Sequence, residues 1–62
     1  MTEDAAKKIA YAIRVLFQQA KLRDRLYGVE VSLGNEDAAQ DYAFQAEALR
    51  HTAAVLTDLI DE

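Results

Sequence analysis

Gly28-Val29-Glu30-Val31-Ser32-Leu33-Gly34-Asn35 is the stretch on which the fold turns. It holds both glycines of the chain, two β-branched valines and a serine, and it interrupts an otherwise helix-forming sequence. Gly and β-branched residues are poor helix formers. The reading adopted is a connection over about residues 28–35 between two helices. A rival reading is set by spacing. Val29 and Leu33 continue a helical series begun by Leu22 and Leu26, so the first helix could run to Leu33 with Gly34 as a left-handed cap. That reading places Gly28 inside a helix, at a cost of about 1 kcal/mol against alanine.

Upstream, Thr2 is a good N-cap, and Glu3 and Asp4 suit the positive end of a helix dipole. Ala6, Ile9, Ile13, Leu16, Ala20 and Tyr27 follow at steps of three and four, with one gap at Arg23. Ala5, Ala12 and Phe17 widen this face. The spacing predicts a helix over about 3–27. Tyr11, Val15, Leu22 and Leu26 form a second apolar line on another side of the same helix.

Downstream, Asn35 is an N-cap candidate followed by Glu36 and Asp37. Ala38, Tyr42, Ala46, Leu49, Ala53, Leu56 and Ile60 alternate small and large residues along one face and predict a helix over about 36–60. A second line, Phe44, Ala48, Val55 and Leu59, runs beside it with His51 inside it. A helix with one neighbour needs one apolar stripe. Two stripes on each helix imply two neighbours.

The fold class expected is therefore all-α: a single domain over residues 1–62, an antiparallel helical hairpin whose second stripes pair two copies into a four-helix bundle. Size points the same way. A 62-residue chain builds only a marginal core, and small chains compensate with disulfides, metals or oligomerisation. With no cysteine, disulfides and thiolate metal sites are excluded. Tyr11, Val15, Leu22, Leu26, Phe44, Val55 and Leu59 are the expected oligomer or partner interface.

Charge divides the chain. Residues 1–27 hold six cations against three anions, a net +3, whereas residues 28–62 hold one cation against eight anions, a net −7; the whole chain carries −4. Complementary pairing of a basic first helix with an acidic second one is the structural expectation. The alternative is functional: Lys7, Arg14 and Lys21 are seven apart, Arg25 extends the row, and such a row is a candidate nucleic-acid contact.

The sequence offers no constellation for catalysis. Its one histidine, His51, lies four residues after Glu47, but the Glu-x-x-His pairs and inward glutamates of di-metal bundles are missing. There is no phosphate-cradling glycine motif. No catalytic residue, cofactor or metal ligand is expected, and the chain is not expected to be an enzyme. No stretch approaches the roughly 20 apolar residues of a membrane span. The acidic, polar start is unlike a signal peptide, and a cytoplasmic location is expected.

In size, hairpin layout and alternating small and large core positions, this architecture is similar to the plasmid copy-number protein Rop, which binds RNA loop pairs. The similarity rests on layout and carries no functional residue across. It implies a dimeric RNA-binding regulator as one alternative function. The leading expectation is a small interaction protein, a regulator, adaptor or inhibitor of bacterial or phage type, acting by helix-mediated protein binding. A purely structural oligomerisation module is the third.

Overall fold

The computed structural model describes residues 1–61, and all regular structure among them is helical. Helix α1 spans Glu3–Ser32 and helix α2 spans Glu36–Ile60, and the two pack against each other as an antiparallel hairpin. Thr2 caps α1 as its chemistry demands, its hydroxyl oxygen accepting the Ala5 N–H at 3.1 Å.

The expected loop over 28–35 is corrected: α1 continues through Gly28 to Ser32, and the connection is only Leu33-Gly34-Asn35. Gly28 takes a helical conformation, and the helix is closed instead by Gly34, whose φ of 77° lies in the left-handed region. The Gly34 N–H donates to the Val31 carbonyl at 3.1 Å and the Asn35 N–H to the Glu30 carbonyl at 2.9 Å. These are the two bonds of a Schellman termination. The helical spacing of Val29 and Leu33 outweighs the local propensity of Gly28.

Asn35 occupies the N-cap position of α2, but its side chain makes no capping hydrogen bond. Its side-chain Nδ2 donates backwards to the Glu30 carboxylate at 2.9 Å, while its backbone carbonyl accepts the Ala39 N–H at 3.0 Å. So short a connection makes one residue end α1 and begin α2.

Packing follows a heptad pattern in which Ala6, Ile13, Ala20 and Tyr27 of α1, with Ile9, Leu16, Arg23 and Glu30, face Ala39, Ala46, Ala53 and Ile60 of α2, with Tyr42, Leu49 and Leu56. Among the described residues only Ala20, Ala39, Ala46 and Ala53 are fully buried. Leu16, Leu49 and Leu56 remain half-buried, and Tyr27 is exposed. Two helices touch along a line. Small residues at closest approach are covered completely, whereas a longer side chain reaches past its neighbour and keeps one side in water.

The outcome is a rod of 48 × 14 × 11 Å with a radius of gyration of 14.4 Å. A compact chain of this length has a radius near ~11 Å. Its accessible surface is 4766 Å², against about 4,000 Å² for a typical folded monomer of its mass.

Candidate interaction surface

Two interhelical contacts orient the hairpin. On one flank, Arg23 Nε donates to Gln45 Oε1 at 3.3 Å. On the opposite flank, Asp24 and Arg50 form an ion pair. Arg23 and Asp24 are adjacent on α1, so at about 100° per residue they point to either side of the interhelical line.

The Arg23–Gln45 flank is the apolar one. On α1 it carries Val15, Leu22, Leu26, Val29 and Leu33; on α2 it carries Ala38, Ala48, Val55 and Leu59. The extension of α1 to Ser32 is what adds Val29 and Leu33 to this row. Leu22, Val29, Leu33, Val55 and Leu59 are all exposed. The opposite flank holds exposed Phe17 and Val31 beside the ion pair and is more charged.

Of the seven residues expected at the interface, Val15, Leu22, Leu26, Val55 and Leu59 share the apolar flank. Phe44 stands at its rim, lining a shallow hollow with Arg23, Gln45, Ala48 and Leu49, and is 71% exposed. Tyr11, 65% exposed, lies on the outer back of α1 beside that flank.

A polar chain crosses the middle of the face. Arg23 donates to Gln19 as well as to Gln45, and the Gln45 amide donates to Asp41 at 3.0 Å. The gap that Arg23 leaves in the apolar stripe is filled by this hydrogen-bonded ladder of four side chains. Sequence periodicity marks the gap, but not the partners that fill it.

The expected complementarity of a basic α1 with an acidic α2 takes a different form. The cross-helix ion pair runs from an anion on α1 to a cation on α2, Asp24 to Arg50, opposite in sense to the helices' net charges. Lys7 pairs with Glu3 at 3.6 Å and Lys8 with Asp4 at 3.1 Å, each within the first turns of α1. Among the described residues Arg14, Lys21 and Arg25 form no ion pair, and they line the outer side of α1 away from α2.

Glu47 and His51 line a second shallow hollow together with Phe44 and Ala48. No group of three or more His, Cys, Asp or Glu side chains converges among the described residues, and no helix is long and apolar enough to cross a membrane. Comparison with known proteins finds no match among family models, curated proteins or solved structures.

Proposed function

We propose that this chain is a small non-enzymatic interaction protein, a regulator, adaptor or inhibitor that works by helix-mediated protein binding, and that it self-associates through the Arg23–Gln45 flank into a four-helix bundle. The observation that carries this reading is the row of exposed apolar side chains along both helices of that flank. A monomer rarely leaves this many large apolar side chains on one flank in water. The face is 48 Å long and 14 Å wide between backbone atoms, close in footprint to the roughly 800 Å² that each partner contributes to a standard interface.

The four-alanine core supports the same reading. Half-buried Leu16, Leu49 and Leu56 gain full cover only when a second pair of helices closes over them. Leu22→Asp or Val55→Asp is expected to abolish self-association in sedimentation equilibrium. If both variants sediment as the parent does, this flank is not an interface.

A second reading rests on Arg14, Lys21 and Arg25. Without an ion-pair partner among the described residues, they could meet phosphates, as in a dimeric nucleic-acid-binding regulator. The net charge of −4 opposes it.

A further inference from the structure

We infer that the occupant of the apolar face is a second copy of this chain, oriented with α1 of each copy on α2 of the other and both connections at the same end of the bundle. The inference rests on the self-association reading above and adds the topology.

Two face-to-face two-fold arrangements are open to a hairpin. With the axis along the helices, α1 lies on α2 of the other copy. With the axis across them, α1 lies on α1 and α2 on α2, and the connections sit at opposite ends. Charge separates the two. Helix α1 carries six cations and four anions, a net +2, and α2 carries one cation and five anions, a net −4. Packed helices lie 8–10 Å apart, about one Debye length at physiological ionic strength. Stacking α2 on α2 would place two strongly acidic helices side by side, whereas α1 on α2 alternates the sign around the bundle.

Residue pairing separates them again. The Arg23–Gln45 contact and the three-residue connection centred on Gly34 set the levels of the antiparallel helices. Tyr11 then lies level with Asp58, Gln18 with His51 and Arg25 with Phe44. Inside one hairpin these pairs sit on the outer backs of separate helices and do not touch. In the same-end arrangement the two outer rows meet across the seam between copies. A phenol then meets a carboxylate, an amide meets an imidazole and a guanidinium meets an aromatic face, which attract one another. Arg25 has no carboxylate within ion-pair distance among the described residues, and Phe44 is 71% exposed. In the other arrangement the outer rows of α2 bring Asp37 and Asp58 together, two like charges.

The test uses the full chain with its sole cysteine introduced at Glu36→Cys, an exposed position at the connection end, carrying a spin label. At a protein concentration where light scattering reports the dimer, pulsed electron resonance measures the label-to-label distance. A distance below roughly 30 Å, set by the width of a four-helix bundle, supports the same-end topology. A dimer with labels more than about 40 Å apart, near the length of the rod, overturns the topology alone. A monomer at every concentration overturns the self-association reading beneath it. Arg25→Ala and Phe44→Ala should each raise the dimer dissociation constant several-fold with helicity unchanged, and the double variant should be no weaker than the worse single one. Unchanged dissociation constants in both variants overturn the pairing.

Discussion

Arg23 on α1 donates its Nε–H to Gln45 Oε1 on α2 at 3.3 Å, at a heptad position that Ile9 and Leu16 occupy in the preceding turns. Placing a guanidinium there is a device for register, because a polar group at a core position disfavours alignments that leave it unpaired. Arg23→Leu should therefore keep or raise the melting temperature while broadening the distribution of assembled states. Sedimentation velocity reads this as mixed species in place of one. A single sharp species with unchanged mass would show that the Gln19–Arg23–Gln45–Asp41 ladder plays no part in register.

The two glycines should respond in opposite directions. Gly28 is helical, exposed and has open space where a Cβ would go. Gly28→Ala should stabilise the hairpin by about 1 kcal/mol. Gly34 adopts φ 77°, and Gly34→Ala should destabilise it by about 1–2 kcal/mol, the cost of forcing a Cβ into left-handed backbone. Thermal denaturation of the two variants side by side checks the sign.

This contrast also shows what the sequence makes legible. The α2 bounds and the Thr2 cap follow from local chemistry and spacing. The fate of residues 28–32 does not, because a glycine and two valines argue against a helix locally while Leu22, Leu26, Val29 and Leu33 argue for it over a longer range. The spacing wins because extending α1 keeps it alongside the full length of α2. The exposed apolar rows are legible as second stripes. That they lie on one flank, with a polar ladder between them, depends on the handedness of the hairpin and on side chains that meet only after folding.

The alanine line between the helices should tolerate no enlargement. Ala20 and Ala53 are 0% exposed. Ala53→Leu should destabilise by about 1–3 kcal/mol through overpacking. Leu49→Ala should cost about 2 kcal/mol, at the low end for a core leucine because this one is half-buried. Lys7→Ala, which removes only an exposed pair with Glu3, should cost less than about 0.5 kcal/mol. Denaturant midpoints should fall clearly in both core variants and barely move in Lys7→Ala.

Arg14, Lys21 and Arg25 should not bind nucleic acid measurably at physiological salt. Long-range repulsion from a chain of net charge −4 slows every encounter with RNA or DNA. Anisotropy titrations on structured RNA and duplex DNA check this. Micromolar, salt-sensitive binding lost in Arg14→Glu with Lys21→Glu would make the nucleic-acid reading the leading one.

Light scattering coupled to size exclusion reads self-association through the Arg23–Gln45 flank as a doubled mass. At tens of micromolar the chain should elute with twice its 6.9 kDa mass, and Val55→Asp should return it to monomer. A parent chain that remains a 6.9 kDa monomer while melting cooperatively would show that the hairpin is stable alone and that this flank joins no second copy.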